Sequence, residues 1–455
     1  MTTRTLRRIL ATAGVCWLAA CGEDQQQPLA PSLSRASVED SLPLVVRQLA
    51  VGRKIGPMPR APFVRPALVR LGQALAFDKV LSGNRDISCM TCHLPVFATG
   101  DGLRLSIGQG AAGLGPNRVH PDGVFIPRNA PSLFNLTALK SLFWDGRVSV
   151  DEAGRFHTPA GDQLTERMTR VFEFGPASAL ALFPVTSREE MRAQSGNELA
   201  MIPDADNPAI WRGLMRRLGQ IPEYRRMFEA AYPGTRFRDM TFAHASNAIA
   251  GFLVDQYSFA QTPWDRFLAG DDDALSRSQL AGAKTFMSIK CSLCHNGPAF
   301  SDNKFHNVAV AQFGPGKGNG AGGHDDFGRM NVTGLDADRY TFRTTPLRNV
   351  LLTAPYGHDG AMTGLRDFIA HYSESDVKLR TFDATLLGPL LQGTVVPNTE
   401  AVIAARDTII LGVVLPDSTV DQLVSFMTAL TDPAAINLSR TIPRRVPSGL
   451  PIDRQ

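Results

Sequence analysis

The sequence predicts a mainly α-helical fold, arranged as two domains with long irregular loops. Three observations lead to this prediction. Apolar residues recur at the helical spacings of three and four, and no segment has the alternating pattern that a ladder of strands requires. The chain has 455 residues, more than one hydrophobic core usually holds. One short cysteine-containing motif also occurs once in each half of the chain.

That motif is CxxCH, at residues 89–93 (CMTCH) and again at residues 291–295 (CSLCH). Two cysteines at this spacing can each form a thioether with a vinyl group of one haem, and the adjacent histidine can then bind the iron. Zinc ribbons place their cysteine pairs about 15 to 20 residues apart, and thioredoxin-type motifs need no such histidine. The sequence therefore predicts two covalently bound c-type haems. Their predicted attachment and axial residues are Cys89, Cys92, His93, Cys291, Cys294 and His295.

Helical patterns surround both motifs. Residues 66–77 carry an amphipathic pattern that leads into the first motif, and residues 280–286 repeat part of it before the second. Residues 241–259 have the length and the apolar face of a core helix, and residues 415–430 predict a late helix. Residues 313–328 are rich in glycine and predict a surface loop.

The first 20 residues combine a basic start with a short apolar run, which is the pattern of a secretory signal peptide. The run is too short for a stable membrane span. Residues 18–22 (LAACG) resemble a bacterial lipobox, which would place a lipid anchor on Cys21 and tether the protein to the membrane. An ordinary secretory leader is the alternative, and both predict export to the periplasm. Residues 21–62 are predicted to form a tether or N-terminal arm.

Charge and cysteine usage exclude some classes of function. The formal net charge is +4, and it falls to +1 without the arginines of the predicted signal peptide. No basic patch of the nucleic-acid-binding type is present, so we expect no nucleic-acid partner. The two cysteines outside the motifs, Cys16 and Cys21, lie in or beside the signal peptide. We therefore expect no disulfide.

Several blocks occur in order along residues 65–375, among them LGQALAFDKVLSGNRDISCMTCH, RNAPSLFN, FWDGR, CSLCHNGPAF and TTPLRNVLLTAPYGHDG. In these blocks the chain resembles the bacterial di-haem cytochrome c peroxidase and MauG family. The resemblance implies two cytochrome c-like haem domains, a peroxidatic one at residues 63–235 and an electron-transfer one at residues 236–440, followed by a tail at residues 441–455. It also implies a calcium ion near their interface and a homodimer.

On the peroxide side, the resemblance points to two residues. Glu190 matches the family's distal acid, which moves a proton between the peroxide oxygens; a shift of one residue would give this role to Glu189. Gln109, in SIGQG, stands where the peroxidases have a histidine that caps the iron until reduction releases it. A glutamine amide is a poor iron ligand, so this site would be open without reductive activation. Alternatively, Gln109 is only a loop residue.

Between the haems, the resemblance implies an electron route and a metal site. Trp144, in FWDGR, matches the tryptophan that lies between the two haems and assists electron transfer. Asn129, together with the carbonyl oxygens of Thr353 and Pro355, matches the calcium ligands. These are hard oxygen donors of the kind that calcium prefers.

Tyr372 matches the sixth ligand of the second haem. The peroxidases of the family have methionine at this position, whereas MauG-like members have tyrosine. Tyrosinate is a harder, anionic donor than a thioether sulfur, and it lowers the reduction potential. Met362 is the alternative ligand if the alignment is shifted, and it would restore a high-potential haem.

The resemblance implies a periplasmic oxidoreductase that reduces hydrogen peroxide to water through a ferryl intermediate. A small redox protein would then donate the electrons. A first alternative is a MauG-like enzyme, which uses the high-valent di-haem state to oxidise aromatic residues of a partner protein. A second alternative is an electron-transfer lipoprotein without peroxide chemistry. Residues 376–414 carry no functional prediction.

Overall fold

Helices dominate residues 41–454, the part of the chain that this computed structural model describes. The predicted signal peptide and the lipid site at Cys21 lie outside the described residues. Within the described part, no helix is long and apolar enough to cross a membrane. The α-helices are α1 (Leu42–Gly52), α2 (Pro66–Phe77), α3 (Cys89–Cys92), α4 (Glu166–Thr169), α5 (Pro176–Leu180), α6 (Asn207–Gly219), α7 (Pro222–Ala231), α8 (Phe242–Gln256), α9 (Pro263–Leu268), α10 (Arg277–Ser288), α11 (Cys291–Cys294), α12 (Met330–Thr333), α13 (Leu365–His371), α14 (Ser375–Arg380), α15 (Pro389–Gln392), α16 (Thr399–Ala404) and α17 (Asp417–Ala429).

Short strands in the described part form two small antiparallel sheets, with the order β1-β2-β3 in one and β4-β5 in the other. In the second sheet, Phe305 pairs with Arg343 and His306 pairs with Phe342. Strands of two or three residues are too short to give an alternating pattern, which is why the sequence predicts no ladder. The mainly α-helical fold is confirmed. The strands are β1 (Ser141–Leu142), β2 (Val148–Val150), β3 (Phe156–His157), β4 (Phe305–His306) and β5 (Phe342–Arg343).

Each CxxCH motif is preceded by a helix that crosses a later helix at a glycine. α2 packs against α8, and α10 packs against α17. At the first crossing, a Cβ atom on Gly72 would lie 1.8 Å from the carbonyl oxygen of Ala248. At the second, a Cβ atom on Gly282 would lie 2.0 Å from the carbonyl oxygen of Gln422. Only glycine fits so close an approach of two backbones, and the repeated helix that the sequence predicts has the same role in both halves.

Two main hydrophobic clusters form the interior. The first gathers buried residues of α2, α5, α6, α7 and α8. The second gathers buried residues of α1, α9, α10 and α17 around Trp264. The indole of Trp264 meets the rings of Phe267, Phe300 and Phe426 at centroid distances of 5.5, 6.1 and 5.3 Å. α2, a helix of the first cluster, precedes the first CxxCH turn. α10, a helix of the second cluster, precedes the second CxxCH turn.

The packing differs from the predicted division of the chain in three places. α8 belongs to the first cluster, although it lies within residues 236–440. α1 lies within the predicted tether, residues 21–62, yet it is a helix that buries Val46 in the second cluster. The predicted tail, residues 441–455, packs Val446 into the first cluster. Contacts between distant segments decide which cluster a helix joins, and the order of helices along the chain does not reveal them.

The glycine at the first crossing provides a test of this packing. Gly72→Ala is expected to destabilise the protein by about 1–3 kcal/mol, the usual cost of overpacking. The added Cβ meets a backbone carbonyl that cannot rotate away, and this outweighs the gain of about 1 kcal/mol in helix propensity. Gly52→Ala is the matched control, because no atom lies within 4 Å of a Cβ there. Urea unfolding measures both, and an unchanged free energy of unfolding for Gly72→Ala would contradict the close crossing.

Candidate active site

The first CxxCH motif forms a single helical turn, α3, which begins at a capping box. The hydroxyl of Thr91 accepts a 2.9 Å hydrogen bond from the backbone N–H of Ser88. Thr91 also donates a 2.5 Å hydrogen bond to the carboxylate of Asp453. His93 follows the turn, and its Nδ1 lies 2.7 Å from the carbonyl oxygen of Thr99. With the proton on Nδ1, this bond fixes the ring and leaves Nε2 free to bind iron.

The second motif repeats this arrangement in α11. Nδ1 of His295 lies 3.0 Å from the carbonyl oxygen of Phe300. Burial lowers the pKa of His93 and of His295, which favours the neutral ring that a metal ligand needs. The four motif cysteines form no disulfide and remain free to bond to haem.

A cavity lies beside each motif. The cavity at the first motif has a volume of about 150 Å³, and the one at the second motif has about 240 Å³. A cysteine pair, a neutral histidine held by the backbone and a largely apolar enclosure are what a c-type haem requires. The residues present therefore fit one haem in each cavity. The motif residues that line the cavities are Cys89, Cys92 and His93 in the first and Cys291, Cys294 and His295 in the second.

Glu190 lies on a π-helical turn, Arg188–Arg192, at the wall of the first cavity. A loop of the first half packs tightly against this turn. A Cβ atom on Gly108 would lie 1.8 Å from the carbonyl oxygen of Glu189. The N–H of Gln109 donates a 3.1 Å hydrogen bond to the carbonyl oxygen of Glu190. The backbone that carries the Glu190 carboxylate is therefore held in place by this loop.

The two neighbouring glutamates have different surroundings. Glu190 is half-buried and lines the cavity, whereas Glu189 is exposed and accepts a hydrogen bond from the Ser187 hydroxyl at 3.2 Å. Burial raises the pKa of Glu190, and the charge of Arg147 opposes this rise. Nη2 of Arg147 lies 3.9 Å from Oε1 of Glu190. A carboxyl with a raised pKa at a cavity wall is suited to take up and release a proton.

Arg147 belongs to a network of buried charges that the sequence did not reveal. It bonds to Asp145 at 3.1 Å, and its guanidinium lies 3.8 Å from the centroid of the Phe143 ring. Asp145 also accepts a 2.6 Å hydrogen bond from Arg128, which makes two further bonds to Asp326 at 2.6 and 2.8 Å. These arginines hold the pKa of Asp145 well below its usual range. The network links the wall of the first cavity to the glycine-rich loop of the second half.

Gln109 lies outside the lining of either cavity. Its side-chain oxygen accepts a 2.8 Å hydrogen bond from the amide of Asn84. The two predicted peroxide-side residues, Gln109 and Glu190, meet only through their backbones. Of the alternatives that the sequence left open for Gln109, this position favours a loop residue that supports the Glu190 turn.

Trp144 lines both cavities. Its indole Nε1 donates a 2.8 Å hydrogen bond to the carbonyl oxygen of Asn129, and its own carbonyl oxygen accepts one from the N–H of Arg343 at 2.8 Å. The orientation of the indole is therefore fixed, and Trp144 lies between the two cavities. This is the placement that an electron route between two haems requires.

The three predicted calcium ligands, Asn129, Thr353 and Pro355, all line the larger cavity. The side-chain amide of Asn129 donates to the carbonyl oxygens of Leu103 and Arg104 at 2.8 and 3.2 Å. These bonds orient its side-chain oxygen away from both carbonyls. The calcium ion stays a prediction.

Tyr372 follows α13 and lines the second cavity, together with His295. Met362 does not line it, and instead forms a backbone bridge with Tyr356 through hydrogen bonds of 2.7 and 3.2 Å. Burial raises the pKa of the Tyr372 hydroxyl. Nε2 of the neighbouring His371 lies 2.8 Å from the carbonyl oxygen of Val308, and His371 does not line the cavity.

Comparisons of sequence identify relatives of the chain. A protein-family model described as di-haem cytochrome c peroxidase matches residues 66–273 of the chain. The cytochrome c551 peroxidase of Pseudomonas aeruginosa is 30% identical over 300 residues, which are 66% of this chain and 70% of the relative. The methylamine utilization protein MauG of Methylorubrum extorquens is 28% identical over 323 residues, which are 71% of this chain and 73% of the relative.

Comparisons of structure agree on the fold. A crystal structure of a MauG-like protein associated with microbial copper homeostasis matches with a TM-score of 0.58 and 25% identity, over 86% of this chain and 97% of that one. The di-haem peroxidase BthA of Burkholderia thailandensis matches with a TM-score of 0.58 and 20% identity, over 84% of this chain and 92% of that one. The second likeness concerns the fold alone.

The contact between Arg147 and Glu190 predicts a pKa change. Arg147→Gln removes a cation that favours the carboxylate, so the pKa of Glu190 is expected to rise and a smaller fraction of it to be ionised at a given pH. Difference infrared spectroscopy of the carboxyl band across pH measures this, with Glu190→Gln identifying the signal. Arg155→Gln, at an exposed pair with Asp151, is the control with the same charge change. An unchanged Glu190 titration in Arg147→Gln would rule out the contact.

Proposed function

Because the chain belongs to the di-haem cytochrome c peroxidase family, we propose that it reduces hydrogen peroxide to water at the cavity beside His93. The protein is an oxidoreductase with two c-type haems. The observation that carries the proposal is the Glu190 carboxyl, which lines the same cavity as the first CxxCH motif on a turn with a fixed backbone. A carboxyl of this kind can serve the proton transfers that cleavage of a peroxide needs.

The roles of the residues follow from this placement. The haem held by His93 supplies the redox chemistry that breaks the O–O bond. Glu190 takes a proton from one oxygen of hydrogen peroxide and returns it to the other, which leaves as water. Arg147 favours the ionised form of Glu190, the form that can accept the first proton. The complete reaction consumes two electrons and two protons and yields two water molecules.

The electrons enter from outside the protein. We propose that a small redox protein donates them at the second haem site, and that Trp144 lies on their path to the first. We also propose a periplasmic location, which the predicted signal peptide would require and with which covalent haem attachment is consistent. A lipid anchor on Cys21, a calcium ion at Asn129, Thr353 and Pro355, and a homodimer remain parts of this proposal.

A MauG-like activity is the second candidate, and the position of Tyr372 favours it. A tyrosinate ligand stabilises higher oxidation states of iron than a thioether does. A second site of this kind would hold an oxidising equivalent that could then be passed to an aromatic side chain of a partner protein. The two candidates share the peroxide site and differ only in the source of the electrons.

The proposed acid is tested by a pair of adjacent substitutions. Glu190→Gln is expected to slow the reaction of the ferric protein with hydrogen peroxide by about 10²- to 10⁴-fold, because an amide cannot take the proton. Glu189→Gln should react at close to the wild-type rate. Stopped-flow absorbance after one equivalent of peroxide measures both rates. If Glu189→Gln is the slow variant, the roles are exchanged. If the wild-type protein reacts neither as the ferric form nor after partial reduction, it is an electron-transfer protein without peroxide chemistry.

The axial ligand of the second haem is tested by spectroscopy. Tyr372→Met is expected to gain the sulfur-to-iron charge-transfer band of a His/Met haem and to raise the potential of that haem. Met362→Leu should leave the wild-type spectrum unchanged. A wild-type protein that already shows the band, and loses it in Met362→Leu, would make Met362 the ligand and weigh against the MauG-like candidate.

A further inference from the structure

Arg343, on strand β5, lies between the two cavities. Its backbone N–H is bonded to the carbonyl oxygen of Trp144, and its side chain lines both cavities. The residue is 6% exposed. Among the described residues that line both cavities, Arg343 is the one with a charged side chain.

The guanidinium of Arg343 has no carboxylate partner within residues 41–454. Its hydrogen bonds reach only the carbonyl oxygens of Phe143 and Thr344, at 3.3 and 3.4 Å. Burial lowers its pKa to about 10, and no acidic group offsets this. The side chain therefore remains a buried cation at neutral pH, and such a charge is costly without a partner.

The other buried arginines that line a cavity, Arg128 and Arg348, are paired with carboxylates. Arg128 bonds to Asp145 and Asp326. Arg348 bonds to Asp265 at 2.6 Å. The chain thus supplies a carboxylate for these two arginines and none for Arg343, which leaves the Arg343 guanidinium available to an anion in the cavities.

We propose that Arg343 is the shared binding site for carboxylate side chains of both haems. Each haem carries two propionate groups, and the planar guanidinium fork matches a carboxylate with two parallel hydrogen bonds. A single arginine that lines both cavities can bind one propionate from each side. The inference takes from the proposed function only that both cavities hold haem, and it does not depend on peroxide chemistry.

A shared cation has a consequence for both redox centres. Reduction adds an electron to each haem, and a nearby positive charge favours the reduced state. Without the guanidinium, the propionates are left unpaired and their negative charge favours the oxidised state. The loss of Arg343 should therefore lower both midpoint potentials in the same direction.

Spectroelectrochemical titration of the intact holoprotein tests this. In Arg343→Gln, the midpoint potentials of both haems are expected to fall. Arg339→Gln is the matched control, because it removes the same charge from the same segment at a residue that lines neither cavity. A fall at one haem only would overturn the shared site, and no fall at either haem would overturn the assignment altogether.

A second variant covers the case in which Arg343→Gln fails to bind haem. Arg343→Lys keeps the positive charge but lacks the planar fork. Its potentials should stay closer to the wild-type values, while the propionate bending bands of both haems shift in the resonance Raman spectrum. Unchanged bands in Arg343→Lys would contradict the proposal. The Glu190→Gln rate is independent of these readouts, so failure of the peroxidase proposal and failure of this one can be told apart.

Discussion

A buried ion triad, Arg128 between Asp145 and Asp326, is the interaction on which the region between the two cavities depends. It joins a segment of the first half to the glycine-rich loop of the second, and through Arg147 it reaches the acid at the cavity wall. Removal of one member of such a group leaves an unpaired buried charge, which costs about 3–5 kcal/mol. The same segment carries Trp144 and packs against the strand of Arg343. One set of charges therefore connects the segment of Trp144, the Glu190 wall of the first cavity and the strand of Arg343.

The two sites are built alike on one side and differ on the other. Each has a single helical turn that carries two cysteines, and a histidine that is held by a backbone carbonyl. Beyond this shared half, the lining of one cavity includes Glu190 and that of the other includes Tyr372. The repeated local design is thus combined with a different ionisable side chain in each cavity.

The sequence predicted the parts of the protein that depend on local spacing. The CxxCH turns, the helices that precede them and the late helix follow from residues that are close in the chain. It did not predict the partners of Arg128, because Asp326 is 198 residues away, nor the unpaired state of Arg343, which depends on the whole surrounding structure. Residues 21–62, which include Val46, were predicted to form a tether, because one helix with a narrow apolar stripe gives a weak hydrophobic pattern. Position along the chain could not show that residues near the C-terminus pack on the first cluster.

The hydrogen bond from Thr91 to Asp453 joins the first motif to a segment far along the chain. The two residues are 362 positions apart, so the turn that carries the first cysteine pair gains this contact only after the segment that follows the second motif has emerged. During synthesis from the N-terminus, the first motif therefore lacks this contact until the segment that carries Asp453 has been made. The first haem site is thus completed by a part of the chain that is made after the second motif.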